Sequence, residues 1–209
     1  MNQKSLQDAA SHLSTNDRVL AKIISRAGLA TITPNKNYYQ ELVQSIISQQ
    51  LSVKASATIL SRFIGLFKSD TFPTPHMIVA KELHDLRSAG LSRQKADYIQ
   101  DLAHKVISGV VQFDHLDSLE NDEIIDELTQ IKGVGVWTVH MFLIFCMGRT
   151  NVLPVGDLGI KNGIQKLYNL ENLPTQDEIR KIADAYNWHP YESVASWYVW
   201  HSLDNKPLL

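Results

Sequence analysis

The sequence predicts an all-α protein, on three observations. Apolar residues recur at helical spacing almost everywhere along the chain. No run of period-two alternation bounded by hairpin turns appears. With 209 residues, 44% of them hydrophobic, the chain can bury a substantial core, and its size suits one compact domain or two small lobes sharing a cleft.

The elements follow in order. The opening MNQKSLQDAASHLSTNDR has no apolar core of the signal-peptide type, and no apolar stretch reaches the roughly 18 residues needed to cross a bilayer, so a soluble intracellular protein is expected. Asn16 to Arg26 reads as a helix behind a Ser14-Thr15 cap. Tyr38 to Gln50 carries Leu42, Ile46 and Ile47 on one face, and Ser52 to Phe67 carries Val53, Ala57, Leu60, Phe63 and Ile64. FPTPHMIV, around Pro73 and Pro75, reads as a connecting loop and turn. Ala80 to Ser88 and Ser92 to Ser108, the latter opened by a Ser92 cap, are the next helices. Asn121 to Thr129, Val136 to Cys146, Asp157 to Leu167, Thr175 to Tyr186 and Tyr191 to His201 complete the set. There is no internal repeat or low-complexity segment, so residues 1–209 are expected to form one catalytic-sized unit.

Composition excludes several chemistries. One cysteine, Cys146, rules out an internal disulfide and any cluster or zinc site built from several thiolates. The eight histidines form no HExxH or close Cys/His grouping, so no catalytic transition metal is expected. A net charge of −2 argues, taken globally, against indiscriminate nucleic-acid binding, but the charge is unevenly distributed. Asp117, Glu120, Asp122, Glu123, Asp126 and Glu127 form an acidic run without a base, whereas Lys132, Arg149, Lys161 and Lys166 bracket a single acid, Asp157. A lone carboxylate in a mildly basic, glycine-punctuated stretch is a candidate for chemistry on a polyanion.

Within Leu128–Val139, the segment Ile131-Lys132-Gly133-Val134-Gly135 joins two amphipathic helices through two glycines. Glycine permits a tight turn and close approach of another surface, and the amides opening the next helix form a positive pole suited to a phosphate. Lys132 and the Thr138 hydroxyl stand where they would add contacts. From Gly-Val-Gly alone, an ordinary αα-hairpin with a glycine cap is an equal alternative.

This stretch, an element of about residues 121–146, resembles the helix-hairpin-helix of the HhH-GPD superfamily of DNA glycosylases, and the resemblance continues on both sides. Leu153-Pro154-Val155-Gly156-Asp157-Leu158-Gly159-Ile160-Lys161 resembles the segment carrying the superfamily's catalytic aspartate. Leu42 to Ser52 matches the helix and turn before the DNA wedge, and Trp188 to Trp200 resembles the closing helix of the 3-methyladenine DNA glycosylase II branch, in its short form without an extra amino-terminal β-rich domain. The resemblance implies a two-lobed helical fold with the active-site cleft between the lobes. It implies a monomer acting on damaged double-stranded DNA, away from membranes, in the cytoplasm of a prokaryote or the nucleus of a eukaryote. The implied reaction is excision of alkylated purines such as 3-methyladenine and 7-methylguanine.

The resemblance also distributes roles. Gln50, beside Leu51, takes the position of the residue that fills the gap left by a flipped nucleotide; the alternative is a plain helix cap before Ser52. Asp157 takes the essential carboxylate's position, where it would stabilise positive charge developing on the sugar and orient water; a helix N-cap role is compatible with that. Relatives that also cut the strand carry a lysine where this chain has Trp137, so base release without a lyase step is implied. Trp137 and Tyr191 fall at pocket positions, where attraction between a cationic purine and an aromatic face is worth roughly 0.5 to 2 kcal/mol per ring. Trp197 and Trp200 read as core packing. Lys132, Gly133, Val134, Gly135 and Thr138 would meet DNA, and the carbonyls of Thr129, Ile131 and Val134 would hold a structural Na+ or K+ ion, with no cofactor needed for catalysis. Two departures stand out: Glu192 where relatives carry a base, and Lys132 where they carry proline. The rivals are a non-enzymatic DNA-binding module and a glycosylase for uracil, mismatched adenine or oxidised purine.

Overall fold

The structure is a computed structural model that describes residues 1–67, 69 and 71–203. Every regular element among the described residues is helical, as the periodicity predicts, and no described helix is long and apolar enough to cross a membrane. The described residues divide into two compact units: one of residues 1–34 and 143–203, the other within residues 35–142.

The first unit holds α1 (Gln3–Asn16), α2 (Arg18–Ala27), α10 (Leu158–Leu167), α11 (Gln176–Ala185) and α12 (Glu192–His201). Helix α12 is its centre. Every residue from Ser193 to Trp200 is buried, and α1, α2 and α10 pack around it, which is why its sequence is apolar all round rather than striped. Asp17, fully buried at the start of α2, accepts from the Val19 and Leu20 amides at 2.8 and 3.1 Å, from Trp188 Nε1 at 2.9 Å and from the Tyr168 hydroxyl. Those donors satisfy a carboxylate that would otherwise be costly to bury.

The second unit holds α3 (Tyr38–Ser48), α4 (Val53–Gly65), α5 (Pro75–Val79), α6 (Leu83–Ser88), α7 (Arg93–Ile107), α8 (Asn121–Leu128) and α9 (Val136–Met141). Helix α7 is its spine, packed against α3, α5 and α6 and burying Ala96, Ile99, Leu102 and Ala103. The chain returns to the first unit within a π-helical continuation of α9, Phe142–Met147.

Three sequence expectations are corrected. The opening segment forms α1, so Ser14 and Thr15 lie in its last turns and Asp17, not they, caps the following helix. Four apolar residues at helical spacing, Leu6, Ala9, Ala10 and Leu13, are what bury it. FPTPHMIV is not all loop: Thr74 caps a short helix in which Pro75 stands at the first position, where its missing N–H costs nothing. Helix α3 stops at Ser48, short of Gln50.

Candidate active site

In the first unit, a tight turn through Leu153-Pro154-Val155 brings Asp157 to the head of α10, with Val155 N–H donating to the Leu153 carbonyl at 2.8 Å and Asp157 N–H to Pro154 at 2.9 Å. Asp157 is the N-cap. Its Oδ1 accepts the Ile160 amide at 2.8 Å and Trp200 Nε1–H at 2.8 Å, so the carboxylate is oriented from two directions. The next residue, Leu158, is 62% exposed, which places this end of α10 at the surface of its unit. Trp200 is buried and lies against Phe145 with ring centroids 5.8 Å apart. A Cβ on Gly159 would stand 3.0 Å from Asp157 Oδ1 and 3.0 Å from Trp200 Cδ1, so the absence of a side chain there leaves room for this hydrogen bond.

Trp200 is therefore more than the core packing its spacing suggests: its ring packs and its N–H positions the aspartate. The helical period identified the ring as buried but carries no information about where one edge of an indole finds its partner. Trp197 does pack as expected, stacked on His201 at 4.9 Å. Tyr191 caps α12, half-buried, with its ring edge-on to His12 at 5.2 Å, whereas Asp157 Oδ1 takes its donors from Ile160 and Trp200. Glu192 is largely buried and pairs through Oε1 with His189 Nδ1 at 2.9 Å.

In the second unit, the hairpin turns as the glycines predict. Gly133 has φ +79°, and a Cβ there would fall 2.0 Å from Tyr98 Cδ2, so both conformation and close packing demand glycine. Gly135 differs. It has an ordinary extended conformation, φ −98° and ψ 171°, and a Cβ would meet nothing within 4 Å. Ile131 and Val134 are buried, anchoring the turn, and Thr138 is 7% exposed. The side chains of Val134 and Thr138 are thus mostly covered by protein, while the main chain of the turn is what the hairpin displays. Lys132 remains exposed, its amide donating to Asp101 Oδ2 at 2.9 Å and its ammonium 3.6 Å from Oδ1. Burial raises the Asp101 pKa, but the hydrogen bonds from Lys105 and the Lys132 amide, with the charges of both lysines, outweigh it and hold the carboxyl below its usual range. Trp137, on the first turn of α9, is 51% exposed.

Gln50 is exposed with φ +56°, a left-handed conformation uncommon for a residue with a side chain, and Leu51 beside it is 36% exposed. Gln49 is the C-cap of α3 and Ser52 the N-cap of α4, so Gln50 stands just past the helix end, in the left-handed conformation with which many helices terminate. Sequence reasoning missed Lys95 as a site residue: its ammonium donates to the carbonyls of Ile47 at 2.8 Å and Gln49 at 2.6 Å, and burial lowers its pKa.

Two of the hairpin carbonyls, those of Thr129 and Ile131, have lone pairs to offer a monovalent cation. Thr129 ends α8, where carbonyls lack helical partners, and the Ile131 carbonyl, which accepts Val134 N–H at 3.0 Å, has a second lone pair. Neutral oxygens suit a hard ion of low charge. No group of three or more His, Cys, Asp or Glu among the described residues is arranged to hold a metal.

The chain is similar to several known proteins over most of its length. The chain is 36% identical over 202 residues to DNA-3-methyladenine glycosylase 1 of Schizosaccharomyces pombe, covering 94% of this chain and 87% of the relative. Among solved structures it is similar to a DNA-3-methyladenine glycosidase from Bacillus halodurans, with TM-score 0.82 and 34% identity over 93% of this chain and 88% of that one. It is also similar to an S. pombe 3-methyladenine DNA glycosylase in complex with abasic DNA, with TM-score 0.74 and 35% identity over 92% and 95% of the two chains. Residues 43–187 match the family profile of the HhH-GPD superfamily of base excision DNA repair proteins, and the chain belongs to that superfamily.

Proposed function

We propose that this protein is a monofunctional DNA glycosylase that hydrolyses the N-glycosidic bond of alkylated purines, 3-methyladenine and 7-methylguanine among them, in duplex DNA. The observation that carries this is Asp157, held at the head of α10 by the Ile160 amide and the Trp200 indole, in a chain whose relatives bear the names above. Cleavage of the bond between C1′ and the base nitrogen leaves positive charge on the sugar, which a fixed carboxylate stabilises without having to reorganise. The same carboxylate directs water to C1′, and the departing purine takes the bonding electron pair. N3 or N7 alkylation has already made that base cationic, so it leaves neutral and needs little acid assistance.

The target must leave the helical stack first. Exposed Gln50 and Leu51 are suited to enter the gap, and the main chain around Gly135, with Lys132, is suited to a phosphate. The carbonyls of Thr129, Ile131 and Val134 would hold Na+ or K+, which supplies positive charge for that phosphate. Trp137 replaces the lysine amine that a lyase step requires, so the product is an abasic site in an uncut strand. Trp137 and Tyr191 are proposed to contact the extruded base, Trp137 on the strength of its exposed ring.

The test is release of free base from methylated duplex DNA by the purified protein and by Asp157→Asn, scoring strand cleavage separately. Release by the wild type alone, without strand cutting, is the expected result. DNA binding without release would leave a binding module or another lesion, and release accompanied by cleavage would refute the monofunctional assignment.

A further inference from the structure

We propose that Lys95 is a positioning residue that holds the Gln50–Leu51 wedge in its protruding conformation and ties it to the hairpin. Its ammonium sits at the carboxyl end of α3, donating to the carbonyls of Ile47 and Gln49 at 2.8 and 2.6 Å. A cation there meets the negative pole of the helix and satisfies carbonyls that have no further turn to accept from. Fixing the Gln49 carbonyl fixes the peptide that enters Gln50, whose φ of +56° costs energy and persists only if its neighbours are held. Gln49 in turn donates through Nε2 to the Gly133 carbonyl at 2.9 Å, so the wedge loop is bonded directly to the hairpin turn.

Lys95 is one end of a stripe along α7. Residues three apart share a helix face, and here Lys95, Tyr98 and Asp101 do so: Lys95 holds the loop before Gln50, Tyr98 packs under Gly133, and Asp101 accepts the Lys132 amide at 2.9 Å. Both elements assigned to DNA are thus referenced to one rigid helix. Their spacing is set before DNA arrives, so a loop in a strained conformation need not be ordered during flipping. Burial lowers the Lys95 pKa, but two carbonyl acceptors at short distance indicate a donor held in place.

The assignment rests on the wedge role proposed for Gln50, and the experiment separates the two. Single-turnover base release is measured from an oligonucleotide bearing one 7-methylguanine, either opposite cytosine or opposite an abasic site where little pairing opposes extrusion. Lys95→Met is expected to slow release from the paired lesion about tenfold or more, since flipping a paired base costs a few kcal/mol, and to leave the unpaired lesion within about twofold. Lys95→Arg, which keeps charge and donors, should recover most of the loss. Equal losses on both substrates, or none, would overturn the positioning role. Should Lys95→Met fold poorly, Lys95→Gln answers the same question through the same ratio. If Gln50→Ala shows no preference for the paired lesion while Lys95→Met does, the wedge reading fails and the lysine acts through Leu51 or the hairpin instead.

Discussion

Under the roles proposed above, the two units present their functional groups by opposite means. In the first, a side chain is the working part and the interior supports it: Asp157 takes one donor from the helix it caps and one from an indole that is itself buried in α12's surroundings. In the second, the main chain is the working part and side chains support it: Lys95, Gln49, Tyr98 and Asp101 each hold a backbone group or pack on one. Charge stabilisation at a reacting carbon needs one group held to within fractions of an ångström, which buried hydrogen bonds provide. Contact with a regular, repeating phosphate backbone needs shape and amides at the surface, and needs no particular side chain beyond a positive charge.

That contrast can be broken most sharply at Asp157. Asp157→Asn keeps a cap for α10, because asparagine is as good an N-cap as aspartate, but removes the charge, so base release should fall by about a thousandfold or more with the melting temperature and duplex affinity nearly unchanged. Comparable loss of affinity would mean that the carboxylate is part of the DNA surface after all. Trp200→Phe tests whether the indole N–H orients the acid. Keeping an aromatic ring, though a smaller one, while losing the donor should lower single-turnover release about ten- to a hundredfold, the worth of a hydrogen bond to a charged group, on paired and unpaired lesions alike. A loss confined to paired lesions would contradict this.

The hairpin glycines sharpen the comparison at smaller scale. Gly133→Ala places a methyl against Tyr98 in a left-handed backbone and should destabilise the protein by about 2 kcal/mol or more, seen as a shifted denaturant midpoint. Gly135→Ala should leave stability within about 0.5 kcal/mol and yet weaken affinity for undamaged duplex about fivefold, as expected for loss of sequence-independent backbone contacts. The same substitution two residues apart thus reads fold in one case and partner in the other. Equal effects would erase the distinction. Of similar size is Gln50→Gly, which relieves the positive φ and should stabilise by about 1 kcal/mol while slowing release from paired lesions. A gain in stability without that slowing would make Gln50 strained for no purpose connected with flipping.

How far each of these residues was legible depends on the range of the interaction that defines it. The capping position of Asp157 could be read because its local setting, Pro-Val-Gly-Asp before an amphipathic helix, is itself a turn and a cap, and both are written in neighbouring residues. The hairpin was legible for the same reason. Lys95 was not: its partners lie 46 and 48 positions away on another helix, and on α7 it reads as one more solvated base. The burial of Thr138 and Val134 was not legible either, since position in the hairpin says which residues are near the turn but not which way their side chains face.

By itself the sequence determined that the chain is helical, where most helices lie, and where the capping turn before Asp157 and the glycine turn fall. All of these are settled by periodicity, caps and turn chemistry within a few residues. Only the tertiary structure decided that α12 is enclosed, that Trp200 turns its N–H to Asp157, and that α7 bonds to both the loop before Gln50 and the hairpin. These are pairings between groups far apart in the chain, and no local pattern encodes them: a side chain's partner is set by packing, which exists only once the helices have been brought side by side.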